Sequence, residues 1–239
     1  MDLVGALADV VERVSAVEGA LESTLAQVFT PMHRLPDGVS VVDDFDGNSV
    51  DTAAWVWASD AVFTVPSAAN VTVADSQLTV AQPAASAHFL VSQGTTVPTR
   101  AMLWAITWPM VSNSRAVGIR LDDGTDNNYC EIRYDTTGPG GASVRIYWRK
   151  AGGLLNVDSV TGVFHNVFSM SVGYVVQGTA WSSWDFVPVL SHPFWPRALD
   201  VRITTATGLA WTPTRWGVVM HSGTADAGNV TVEWYAEGA

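Results

Sequence analysis

Residues 115–150 read RAVGIRLDDGTDNNYCEIRYDTTGPGGASVRIYWRK. Val117, Ile119 and Leu121 alternate with Arg120 and Asp122. Cys130, Ile132 and Tyr134 alternate with Tyr129, Glu131, Arg133 and Asp135, and Val144, Ile146 and Trp148 with Arg145, Tyr147 and Arg149. A strand sends successive side chains to opposite faces, so each run predicts a strand buried on one side. The intervening DDGTDNN and TTGPGG are turn sequences, in which Gly supplies positive φ and Asn or Asp tolerates it. If the three strands pair in order, one sheet face collects Arg120, Tyr129, Glu131, Arg133, Arg145, Tyr147 and Arg149. Arg and Tyr on one face suit saccharide hydroxyls or anionic glycan groups. The alternative is a solvated face of cross-strand Arg–Glu pairs.

The same punctuation runs outward through the chain from Val39. Candidate strands are VSVVDDF, NVTVADSQLTVAQ, AHFLVSQ and RAMLWAITWPM before the quoted stretch, and VFSMSVGYVVQ, LDVRITTAT, RWGVVMHSG and NVTVEWYAEG after it. No segment beyond Val39 sustains a helical period. Many short strands with no helices between them predict an all-β fold, an antiparallel β-sandwich or jelly roll.

Residues 3–28 differ. Leu7, Val14, Leu21 and Val28 fall on heptad a positions, and Leu3, Val10 and Val17 on d positions, where Thr24 is the one polar interruption. A sevenfold apolar repeat keeps one seam facing a partner helix, which predicts an α-helical coiled coil. Arg13 at g and Glu18 at the following e are opposite charges that favour a parallel, in-register assembly. Val11 and Leu25 at e widen the stripe, which suits more than two helices or packing against another surface. An amphipathic helix folded back on its own β domain is the alternative. Pro31 and Pro36 end the helix and begin a stiff linker. The expected organisation is a coiled-coil helix at 1–29, a linker at 30–40 and a β-sandwich at 41–239.

Composition narrows the function. Apolar residues make up 48% of the chain and charged ones 15%, enough to bury a core. A net charge of −11 repels phosphate backbones, so no nucleic-acid partner is expected. No apolar run is long enough for membrane insertion. The acidic N-terminus does not read as a secretory signal. The single cysteine, Cys130, sits in a strand run and reads as an inert buried residue.

VDDFDGNSVDTAAW (residues 42–55) resembles the opening strand of concanavalin A-like lectin/glucanase domains, with its D-F-x-G-x-x-x-D-x-x-W run. VADSQLTVAQ (73–82) resembles the next strand. NVTVEWYAEG (229–238) resembles the closing one, which pairs beside the first. A coiled coil or linker followed by such a domain resembles minor tail or receptor-binding proteins of phages, especially those of actinobacteria. The resemblance implies a concanavalin A-like jelly roll and a homotrimer. It also implies a place on the phage tail in the virion, among other tail proteins, and a host cell-wall glycan as ligand.

Catalysis is not expected from the residues. The glucanase branch carries two catalytic carboxylates with an Asp between them on one strand, yet neither E-x-D-x-x-E nor E-x-D-x-E occurs here. Glu131 and Asp135 share a strand face but stand roughly 13 Å apart along it, too far for a nucleophile and acid pair about 5 Å apart. The five histidines lack metal-ligand spacing, and there is no G-x-S-x-G elbow or P-loop. The chain is therefore expected to bind rather than to turn over, with no cofactor. Calcium has two weak candidate clusters: Asp122, Asp123 and Asp126 with Asn127 and Asn128, and Asp43, Asp44, Asp46 and Asp51. Each also reads as an ordinary polar turn.

One further segment stands out, GTAWSSWDFVPVLSHPFWPRALD (178–200). Trp181, Trp184 and Trp195 crowd there with Pro188, Pro193 and Pro196. Proline is unsuited to a central strand, so part of this segment is expected to be a long aromatic loop. Such a loop stacks sugars, docks on a neighbouring subunit, or caps an open end of the sandwich.

The reading is thus a phage tail protein that trimerises through its N-terminal helix and presents a lectin-like domain to a host surface glycan. The alternatives are a purely structural tail subunit contacting other virion proteins, and a glycoside hydrolase.

Overall fold

A computed structural model describes the backbone of residue 35 and of residues 37–82, 86–108, 115–138, 141–153, 156–161, 171–179, 183–191, 203–205, 211–223 and 228–238. The chain divides after Pro36. The heptad positions from Leu3 to Val28, with Arg13 and Glu18, lie outside the described residues. Strands are numbered in chain order.

From Val39 onward the described elements are strands, apart from one 3-10 turn at Ala68–Asn70, and they form two antiparallel sheets. The first runs in the order β13 (Ile203–Thr205), β12 (Ser183–Ser191), β11 (Ser171–Thr179), β6 (Arg100–Trp108), β15 (Gly228–Gly238), β4 (Gln77–Gln82) and β3 (Val71–Ala74). β1 (Val39–Asp43) lies against the far end of β15, with Val39 opposite Gly238. The second runs in the order β10 (Asn156–Thr161), β9 (Gly141–Arg149), β8 (Tyr129–Gly138), β7 (Arg115–Asp122), β14 (Arg215–Ser222), β5 (Ser86–Ser92) and β2 (Trp55–Trp57). β14 and β15 follow one another in sequence, yet each inserts into the middle of a different sheet.

The core lies between the sheets. Leu78 and Val80 of β4, Leu103 and Ala105 of β6, and Val230, Val232 and Tyr235 of β15 meet residues of the other sheet. Those are Leu90, Val117, Ile119, Leu121, Cys130, Ile132, Tyr134, Ile146, Val218 and Met220. The alternation in residues 115–150 therefore assigns the apolar set to the interior. Cys130 is free, wholly buried and held protonated, since burial pushes its thiol up.

Two indole N–H groups tie the sheets at one end. Trp55 Nε1 of β2 donates to Asp43 Oδ2 of β1 at 2.7 Å, and Trp216 Nε1 of β14 donates to Glu237 Oε1 of β15 at 2.7 Å. The opening motif is thereby explained. Asp43 also accepts the Phe45 N–H, Phe45 and Trp55 stack, and Asp51 accepts N–H groups from the turn that leads into Trp55. The β3–β4 hairpin turns on Asp75 and Ser76, both at φ 54°, as a two-residue turn with the strands' own twist requires.

β2, β10 and β12 are not among the strands expected from the sequence. β12 contains Pro188, opposite Tyr174 of β11, beyond the short stretch Trp184–Phe186 that pairs with β13. Proline is tolerated there because, among the described residues, this part of β12 has a neighbour on one side only. The expected aromatic loop is thus a strand over 183–191, with 192–200 outside the described residues. Among the described residues no helix is long and apolar enough to cross a membrane.

Candidate functional site

The second sheet turns its other face away from the core. There the register of β7, β8 and β9 sets Arg120 opposite Glu131 and Glu131 opposite Tyr147. Asp122 lies opposite Tyr129 and Tyr129 opposite Arg149, while Gly118 faces Arg133 and Arg133 faces Arg145. β14 continues these rows with Arg215, Gly217, Val219 and His221. Asp135 takes the next outward register position of β8, opposite Ala116.

Two glycines let these rows close up. A Cβ on Gly118 would overlap the Ile132 carbonyl oxygen, and one on Gly217, at φ 151°, would overlap that of Leu90. Any side chain at either position would force the strands apart.

Buried charge lies at the centre of the face. Arg120 donates through Nε to Asp122 Oδ2 at 2.8 Å and through Nη1 to Glu131 Oε2 at 3.2 Å. Its guanidinium lies 4.1 Å from the Tyr129 ring centroid and 4.8 Å from that of Phe63, so aromatic faces replace water around the cation. Asp122 also takes Arg215, at 2.7 Å from its Nε. Glu131 Oε1 accepts from Arg133 Nη1 at 2.8 Å and from His221 Nε2 at 2.9 Å. Burial alone would raise the Glu131 pKa, but His221, Arg133 and Arg120 outweigh it and hold the carboxyl well below the usual carboxylate range. Burial likewise opposes the charge on Arg120, and Glu131 and Asp122 outweigh it, so its pKa is raised.

A segment after β2 roofs one side. Ala58 N–H donates to Phe89 O and Thr64 N–H to Ala87 O, which seats Phe63 against Phe89. Asp60 accepts from Arg215 Nη1 at 2.9 Å. Toward β9 lie the partly exposed arginines. There Arg133 stacks on Tyr147 at 3.8 Å, Arg145 Nη1 donates to the Tyr147 hydroxyl at 3.1 Å, and Arg149 pairs with Asp126 at 2.9 Å.

All seven residues of the expected Arg and Tyr row thus stand on one face, and four of them, Arg120, Tyr129, Glu131 and Tyr147, are buried. Arg120 and Glu131 form a buried cross-strand pair, while Arg133, Arg145 and Arg149 are partly exposed. Trp184 stands in β12 of the other sheet, and Trp181 and Trp195 lie outside the described residues. In the candidate calcium loop, Asp122 is taken by arginines, and Asp123 accepts from Thr125 and from Asn128 Nδ2. Asp126 is paired with Arg149, and among the described residues no group of three His, Cys, Asp or Glu is placed to hold a metal. In the other cluster Asp43 and Asp51 are committed to the turn described above.

Sequence reasoning missed His221, Arg215, Asp60 and Phe63. The alternation of RWGVVMHSG puts Arg215 and His221 on one face, but nothing local says that β14 adjoins β7.

Two antiparallel sheets in this order, with the first strand against the last, define a jelly-roll sandwich of the concanavalin A-like kind. Solved structures with this fold include glycoside hydrolases. A Bacillus licheniformis β-glucanase superposes with TM-score 0.56 at 14% identity, over 86% of this chain and 100% of that one. A family 16 glycosyl hydrolase of Mycobacterium smegmatis gives 0.54 at 14%, over 82% and 99%. The GH43 BlXynB protein of Bacillus licheniformis gives 0.59 at 12%, over 86% of this chain but only 40% of its own length. No family model and no curated protein matches the chain.

These neighbours correct one expectation. The lack of paired glutamates on a single strand predicts a chain that is not an enzyme, whereas the fold it shares is that of glycoside hydrolases. A one-strand motif concerns only carboxylates close in sequence, and a sheet face also draws on neighbouring strands.

Proposed function

We propose that the β-sandwich engages carbohydrate on the outward face of its second sheet, along β7, β8 and β9. The observation that carries this reading is the Tyr147 cluster. The buried Tyr147 ring holds the Arg133 and Arg145 guanidiniums, and these with Arg149 are partly exposed beside a centre locked by buried ion pairs. The Tyr147 ring is itself buried beneath Arg133, so it is the partly exposed guanidiniums it holds in place that suit sugar hydroxyls, at little ordering cost. The sequence resemblance extends the proposal to a phage tail, where a trimer of the full chain would meet a host cell-wall glycan with the avidity of several sites on one axis. Screening the full chain against a glycan array and intact cell walls tests it. Retention that is lost in Tyr147→Ala supports the reading, and unchanged retention contradicts it.

The shared fold favours a second reading, glycoside hydrolysis at the same face. Among the described residues Glu131 is the one glutamate of the second sheet. Held ionised far below the usual carboxylate range, it orients His221 and does not donate a proton. Sugar release from a retained polysaccharide, abolished in Glu131→Gln with binding intact, supports that reading. Binding without release contradicts it.

A further inference from the structure

We infer that this face hydrolyses O-acyl esters carried on a glycan, with His221 as the base that moves the proton; this rests on the carbohydrate reading of the face above. Three observations converge.

The first is the tautomer. His221 Nε2 lies 2.9 Å from Glu131 Oε1. An ionised carboxylate only accepts, so Nε2 carries the hydrogen, and the lone pair of the neutral ring stands on Nδ1. Among the described residues nothing bonds to Nδ1. The His221 side chain is 25% exposed and the Glu131 carboxylate beneath it 2%. An imidazole oriented by a buried acid, with its second nitrogen free, is how a general base is built.

The second is the register that assembles the pair. His221 of β14 stands opposite Ala116 of β7, whereas Glu131 of β8 stands opposite Arg120. The two are therefore not in one row, and the imidazole reaches Glu131 diagonally across β7. The outward position of β7 between Ala116 and Arg120 is Gly118, which has no side chain and no room for one. A side chain there would stand between the base and its acid.

The third is the set of carboxylates around the base. Hydrolysis of a glycosidic bond needs a carboxylic acid and a carboxylate on either side of it. Glu131 is held ionised. Asp122 is 0% exposed and bound to Arg120 and Arg215, Asp126 is paired with Arg149, and Asp60 with Arg215. Each described carboxylate is thus committed to a cation. An ester asks for less, because one imidazole takes the proton from the attacking water and later returns it to the leaving oxygen.

In the step itself, His221 Nδ1 takes a proton from water as the water oxygen bonds to the acyl carbon. The tetrahedral intermediate collapses, the bond from acyl carbon to sugar oxygen breaks, and the imidazolium gives its proton to that oxygen. The products are a free sugar hydroxyl and a carboxylic acid, and water is the one co-reactant.

The test incubates the full chain with O-acetylated xylan, mannan and peptidoglycan and with their deacetylated forms, and follows acetate, new reducing ends and retention. Acetate release from a retained member without new reducing ends is expected. His221→Gln can still donate to Glu131, so it should keep the melting temperature while slowing release at least about a hundredfold. Imidazole added to His221→Ala should restore part of the rate, which a merely structural histidine would not allow. Glu131→Gln should lower kcat and leave KM unchanged. Retention without acetate release, or release unchanged in His221→Gln, overturns the inference and leaves the carbohydrate reading standing. No retention of any member overturns both.

Discussion

A carboxylate withdrawn from water persists only where cations or donors replace its hydration, and Glu131 has Arg120, Arg133 and His221 for this. Its depressed pKa means that it contributes stability at pH above the ordinary glutamate value, and that this contribution is lost as pH falls below it. Glu131→Gln leaves the Arg120 cation half-partnered. The variant is expected to lose about 3 kcal/mol of unfolding free energy in urea, with a shallower loss of stability in acid. Wild-type stability in that variant would show that the cations do not depend on Glu131. Glu237 has the opposite sign. Burial raises its pKa above the usual 4.5, although Ser92 and Trp216 donate to it. Its stabilising contribution is therefore present below that value and is lost as pH rises through the folded pKa. Glu237→Gln is expected to flatten the pH dependence of the melting temperature above about pH 4.5, and an unchanged slope would contradict this.

At the scale of strands, the period of two in residues 115–150 was enough to place seven residues on one face, because strand geometry alone decides sidedness. What lies across the sheet was not legible. His221 is 90 positions from Glu131, and Arg215 is 93 from Asp122, and such pairings are fixed by the whole topology. β2 has three residues and the Asn156–Thr161 strand one repeated apolar type, too little pattern for a periodicity argument. Phe63 reaches Arg120 from an irregular segment whose only local signal is Asp60, which accepts the Val62 and Phe63 N–H groups. Gly118 gives a direct test of the strand register. Gly118→Ala would press a methyl against the Ile132 carbonyl, and a loss above about 2 kcal/mol is expected. Gly47→Ala, whose nearest contact would be 3.5 Å away, is expected to stay within about 0.5 kcal/mol. Similar values for the two would refute the register.

At the scale of the molecule, β14 and β15 close the sandwich by entering opposite sheets in succession, so residues 215–238 join the core, the indole clips and the outward face. The heptad repeat at 3–28 is a separate proposal about assembly. Leu7→Asp with Leu21→Asp is expected to reduce the mass in light scattering to that of one chain of 25.5 kDa, and an unchanged mass would show that this seam is not the contact. The central claim is that the Arg and Tyr face of the second sheet is where sugar binds. The most direct measurement follows the side-chain Nε–H signals of arginine in the full chain by NMR while a retained glycan is titrated in. Arg133, Arg145 and Arg149 are expected to shift together along one binding curve, while Arg100, on β6 of the other sheet, stays still. Saturable binding with those three signals unmoved would contradict the account.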